Sequence, residues 1–79
     1  MTETFEHLVD LACKRAQRPM TRKALAEHCG ISRQELYELM WGVLTPKEAT
    51  VQKLVRGMAL PSKRVLAALE VSRTMAMLR

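Results

Sequence analysis

Two short helix signals meet at Gly30-Ile31-Ser32, and this junction constrains the fold of the chain more than any other stretch. Thr21 is placed to cap a helix in which Ala24, Leu25 and Cys29 give the buried side. Gly30 permits the left-handed backbone that ends a helix abruptly. Ser32-Arg33-Gln34-Glu35 then has the spacing of a capping box, in which the serine hydroxyl takes one orphan amide and the glutamate reaches back to another. Leu36, Leu39 and Met40 share one face at i, i+3 and i+4, which leaves Arg33, Gln34, Tyr37, Glu38 and Trp41 away from the core. Gly42 ends this helix, and Ile31 is expected to plug the gap between the two. The stretch 21–42 thus reads as two helices on a tight glycine turn, the second with one apolar face and one face free for contact.

The rest of the chain also reads as helix, because β-branched and aromatic alternation is too rare for strands. A first helix is expected over about 4–17, with Phe5, Leu8, Val9, Ala12 and Ala16 on one face and Arg18-Pro19 as its end. A fourth helix is expected from Thr45-Pro46-Lys47-Glu48, with Thr45 as cap, proline at the first helical position and Glu48 as the capping glutamate. Val51, Leu54, Val55 and Met58 form its stripe, and Pro61 marks the break. The fifth helix should run over about 62–78. Val65, Leu66, Leu69 and Ala76 make one apolar face there, and Ala68, Val71, Met75 and Leu78 make a second. A single small domain rarely covers both, so the second stripe is read as a dimer contact of coiled-coil type. Lys63 and Arg64 open this helix, where the dipole disfavours cations, and read as solvated charges or as a phosphate contact.

Seventy-nine residues make a single domain, 1–79. Thirteen Lys and Arg stand against eight Asp and Glu, a net charge of +5, which favours a polyanion partner. Residues 1–13 carry only Glu3, Glu6 and Asp10 as charges, whereas residues 14–33 carry Lys14, Arg15, Arg18, Arg22, Lys23 and Arg33 against Glu27 alone. The positive excess therefore sits on and just before the two-helix stretch. No apolar run approaches the roughly 20 residues of a membrane span, and the acidic N-terminus lacks a signal-peptide core, so a cytoplasmic protein is expected. Cys13 and Cys29 read as small buried side chains. A zinc site from His7, Cys13, His28 and Cys29 lacks close ligand spacing, and neither a metal nor another cofactor is expected.

Thr21-Arg22-Lys23-Ala24-Leu25-Ala26, Gly30-Ile31-Ser32, Leu36, Gly42, Pro46 and Leu54 stand in ordered register over nearly half the chain. This set resembles the helix-turn-helix family of the phage lambda and 434 repressor and Cro proteins, often called the XRE family. That family has the pattern Thr-Gln-x-x-Leu-Ala-x-x-x-Gly-hydrophobic-Ser, a helix to a second glycine, then a proline and a fourth helix. Two positions depart from it: Arg22 stands where glutamine is usual, and Met40 where an acidic residue is common. Arginine preserves a phosphate contact, whereas Met40 changes the packing before the following loop.

The resemblance implies an all-α, five-helix lambda-repressor-like DNA-binding domain. It further implies a bacterial, plasmid or phage transcriptional regulator, most simply a repressor, binding a palindromic operator as a homodimer. The third helix is then the reader of double-stranded DNA. Arg33 has the two parallel donors for guanine O6 and N7, and Gln34 matches adenine. Tyr37 reaches a thymine methyl or a phosphate. Glu38 accepts from cytosine, orients Arg33 or Arg22, or excludes wrong bases. Backbone contacts are expected from Thr21, Arg22, Lys23, Ser32, Trp41, Thr45 and Lys47, and dimer contacts from Ala68, Val71, Met75 and Leu78. The alternative is a protein-interaction module, an antitoxin-like or anti-activator bundle whose basic face meets an acidic protein. An enzyme is not expected, because no nucleophile–base constellation or glycine phosphate loop is present and so short a chain offers no deep pocket. No small-molecule ligand is evident.

Overall fold

The computed structural model describes residues 3–78, so the ends of the expected single domain 1–79 lie outside the described residues. Five α-helices follow one another: α1 (Phe5–Arg15), α2 (Arg22–Cys29), α3 (Arg33–Met40), α4 (Glu48–Met58) and α5 (Ser62–Met77). No strand occurs among the described residues, so the chain is all-α. None of its described helices is long and apolar enough to cross a membrane.

Three of the helices start where a hydroxyl caps them. Thr4 accepts from the His7 N–H at 3.1 Å, Thr21 from Ala24 at 3.1 Å and Ser32 from Glu35 at 3.0 Å, each satisfying a backbone donor that the helix itself leaves unpaired. At Ser32 only this half of the capping box forms, and no return bond from the Ser32 N–H to the Glu35 carboxylate occurs among the described residues.

Both short helices end in the same motif. Gly30 (φ 80°) donates to Glu27 O at 3.1 Å while Ile31 donates to Ala26 O at 3.0 Å. Gly42 (φ 76°) donates to Leu39 O at 3.2 Å while Val43 donates to Glu38 O at 3.1 Å. This is the Schellman arrangement, which turns the chain away from the helix axis and pairs two orphan carbonyls. Ile31 is buried after the first turn, in the plugging role its position suggests.

The core gathers from all five helices. Phe5, Leu8, Leu25, Leu36, Leu39, Leu54 and Val65 are enclosed at its centre. Ser72, only 5% exposed, is a polar residue inside it, and its hydroxyl accepts the Phe5 N–H at 2.9 Å. The first amide of α1 has no partner within its own helix, so this bond ties the start of α1 to the middle of α5. Ser72→Ala strands that amide, and the expected cost is about 1–3 kcal/mol, read as a lowered chemical-denaturation midpoint with an unchanged m-value. Nearby, the Arg64 guanidinium on α5 clasps Glu3 at 2.6 and 3.2 Å. The Arg64 charge is thus paired within its own chain, although its side chain remains 39% exposed. Its hydrogen bond holds the Glu3 carboxyl below the usual range, so the contact persists at neutral pH and is lost as pH falls through that lowered value.

Three expectations change here. The first helix stops at Arg15, before Gln17, because Ala16 is already extended (ψ 150°) and the chain turns back so that Met20 N–H meets Cys13 O at 3.2 Å. Thr45 does not cap α4. The helix begins at Glu48 with Lys47 as an extended N-cap (φ −79°, ψ 158°) and no side-chain cap bond, so Pro46 lies in the connection. The two apolar faces assigned to α5 also merge. Val65, Ala68, Leu69 and Ser72, at i, i+3, i+4 and i+7, form one buried stripe against α1, α3 and α4. Leu66 turns outward instead.

Candidate nucleic-acid interface

Helix α3 is seated by Leu36, Leu39 and Met40, all buried. That seating decides which side chains face out. Arg33 and Gln34 are exposed, Tyr37 and Glu38 are half-buried, and Trp41 is 54% exposed. Arg33, Gln34, Tyr37 and Trp41 line one open depression. The Tyr37 and Trp41 rings lie 5.7 Å apart, centroid to centroid, at an interplanar angle of 33°, so the aromatic end of this surface is a packed pair. The face carries two planar, hydrogen-bonding side chains at its start and two rings one and two turns further on. Such a set can bond to base edges, bond to phosphate oxygens and stack.

The first turn of α2 lies beside it. Arg22 is the first residue of α2, and its guanidinium carbon sits 5.9 Å from the centre of the Tyr37 ring, within the range of a cation–π contact. It is also paired: Nε donates to Asp10 Oδ1 at 3.0 Å, and Nη2 to Asp10 Oδ2 at 3.1 Å. Asp10 thereby raises the guanidinium pKa further above its ordinary value. The expected role of Glu38 as the residue orienting Arg22 or Arg33 is not what the structure has. Asp10, on α1, holds Arg22, and Glu38 makes no ion pair among the described residues.

The other expected backbone contacts divide. Thr21, Lys23 and Ser32 are exposed at the starts of α2 and α3. The hydroxyls of Thr21 and Ser32 accept cap bonds from their own helices and retain their hydrogens as donors. Lys47 is exposed at the start of α4. Thr45 lines a different groove, shared with Pro46, Val51, Leu66 and Leu69 between α4 and α5, and does not join the α3 depression.

The expected dimer stripe is reduced. Ala68 is 0% exposed within its own chain, because its small side chain lets neighbouring helices approach α5, so it has no surface to give a partner. Val71 is half-buried, whereas Met75 and Leu78 are exposed, Leu78 at 81%.

Cys13 and Cys29 are buried and free, and burial pushes both thiols above the ordinary range, so they stay protonated at neutral pH. His7 and His28 are exposed, and no group of three or more metal-ligating side chains occurs among the described residues.

Asp10 is the member of this surface that sequence reading missed. It lies 12 residues from Arg22, too far for any local spacing to announce. The only hint is that it is one of three charges in the first 13 residues, all acidic.

No protein-family model, no curated protein and no solved structure matches this chain.

Proposed function

We propose that this chain is a sequence-specific binder of double-stranded DNA, a helix-turn-helix regulator of the type its sequence resembles. In this reading it is a repressor that occupies a two-fold symmetric operator as a homodimer. One observation carries it: Arg33, Gln34, Tyr37 and Trp41 lie together on the uncovered side of α3, while the opposite side is locked into the core. An α-helix held this way fits the major groove, where each base pair presents its own pattern of donors and acceptors.

The roles divide by chemistry. Arg33 reads guanine with paired donors, and Gln34 reads adenine. Tyr37 supplies a ring edge for a thymine methyl. Arg22, Lys23, Thr21, Ser32, Trp41 and Lys47 hold the sugar–phosphate backbone, which fixes register without reading sequence. Glu38 is half-buried on the reading helix itself, and its charge opposes DNA, so its use is to disfavour bases that present acceptors to it. Met75 and Leu78 supply exposed apolar surface on α5 for a second copy. A two-fold dimer would set its half-sites about 34 Å apart or a multiple of that.

Arg33→Ala and Gln34→Ala are each expected to cost about 1–3 kcal/mol on the preferred site and to lower the preference for one base there. Titration of labelled duplexes that differ at single positions, followed by fluorescence anisotropy, reads both effects. Equal affinity of wild type and Arg33→Ala for all duplexes would remove Arg33 from the reading role. Absence of any DNA binding by the wild type at low salt would favour the protein-interaction alternative.

A further inference from the structure

Three helices meet in one polar contact beside the α3 surface: Asp10 of α1, Arg22 of α2 and Tyr37 of α3. The contact is half-exposed, with the Arg22 side chain 32% and the Asp10 side chain 44% accessible. Exposed ion pairs add little to stability at the median, and more where a carboxylate holds the guanidinium at two points, as here. The geometry is that of a fork. Asp10 engages the Nε and Nη2 donors along one edge of the guanidinium. One Nη1 hydrogen and the second Nη2 hydrogen point along the other edge, in the spacing that lets them donate to two oxygens of a phosphate. Arg22 is charged throughout the physiological range and lies against the ring of a residue in the α3 depression.

We propose that Asp10 is a positioning residue for DNA binding: it grips one edge of the Arg22 guanidinium, fixes it against Tyr37, and so presents the other edge to a backbone phosphate next to the reading helix. This rests on the DNA-binding reading above. The idea opposes the simplest electrostatic expectation. An aspartate near a polyanion repels it, so its removal alone should tighten binding, by about twofold for a unit charge roughly 10 Å from a phosphate in water. If Asp10 positions Arg22, its removal instead weakens binding, because a long arginine side chain then has to be ordered at the moment of contact.

The test uses Asp10→Asn, Asp10→Glu, Arg22→Ala and the Asp10→Asn/Arg22→Ala double variant. Affinities are measured on a duplex carrying the selected site and on an unrelated duplex, at several salt concentrations, and circular dichroism establishes that each variant is folded. Asp10→Asn is expected to weaken both duplexes about fivefold, since phosphate contacts do not read sequence. Asp10→Glu, which keeps the carboxylate, is expected to recover at least half of the loss on a logarithmic scale. In the Arg22→Ala background, Asp10→Asn should no longer weaken binding and should give only the small electrostatic gain. Arg22→Ala should also flatten the logarithmic salt dependence by about one phosphate contact.

Tighter binding by Asp10→Asn in the wild-type background overturns the proposal, as does the same fivefold loss with Arg22 already absent. A lowered melting temperature with unchanged affinity marks a merely structural pair and overturns it too. Failure of the DNA reading looks different: the wild type then binds neither duplex at low salt.

Discussion

Gly42→Ala is expected to destabilise the protein by about 2–5 kcal/mol, from two costs at one position. An alanine held at a left-handed φ costs about 1–2 kcal/mol, and Gly42 sits at φ 76°. The added methyl also has nowhere to go. An ideal Cβ there would lie 2.7 Å from the Ser72 carbonyl carbon and 2.9 Å from Arg73 Cα, both backbone atoms of α5. A helix backbone cannot rotate out of the way as a side-chain tip can, so α3 or α5 must shift, at a further cost of about 1–3 kcal/mol. A chain of this size has about 4–12 kcal/mol in total. The variant should therefore be largely unfolded at 37 °C, or melt many degrees below the wild type. The same close approach places the end of α3 on α5, so any folded Gly42→Ala protein should also show a displaced Tyr37–Trp41 surface. Thermal unfolding followed at 222 nm reads the first effect. A midpoint within a few degrees of wild type would contradict the packing described.

Gly57→Ala should also destabilise, by up to about 2 kcal/mol, an overpacking cost of about 1–3 kcal/mol less a helix-propensity gain of about 1 kcal/mol. Gly57 lies within α4 where that helix crosses α2, and its backbone is ordinary helix. Alanine would be preferred there on helix propensity by about 1 kcal/mol. Sterics override that gain, because an ideal Cβ would lie 2.9 Å from Cys29 Cα and against the Cys29 sulfur. The sulfur can turn, but the α carbon cannot. Gly57→Ala combined with Cys29→Ala should recover only part of the loss, since the contact with the α2 backbone remains. Full recovery in the double variant would mean that the thiol alone sets the spacing of the two helices.

The two-helix stretch was the part most legible in the sequence, because its signals are local. The hydroxyl caps at Thr21 and Ser32, the glycine stops at Gly30 and Gly42 and the i, i+3, i+4 set Leu36, Leu39 and Met40 act within a few residues of one another. Those signals also decided which side chains of α3 face outward. The failures have a shared cause. At α4, the local pattern Thr45-Pro46-Lys47-Glu48 satisfies the rules for a helix start, but Lys47 is extended and carries the connection two residues further. At α5, heptad-like spacing separated Val65 and Leu69 from Ala68, whereas three neighbouring helices bury them together with Ser72. Small residues are what permit that crowding, and hydrophobic periodicity gives them little weight. Ser72 as the partner of Phe5, and Asp10 as the partner of Arg22, join residues 67 and 12 positions apart. No periodicity within one helix reports such pairs, so they required the fold.

Selection of duplexes from a random DNA pool, carried out in parallel with the wild type and with Arg33→Ala, tests the central claim most directly. The wild type should enrich a two-fold symmetric sequence with half-sites about one helical turn apart or a multiple of that. Arg33→Ala should enrich the same symmetric sequence with the preference for guanine lost at one position in each half. Recovery of no sequence by the wild type, or of identical sequences by both proteins, would contradict the assignment of the outer face of α3 to the bases.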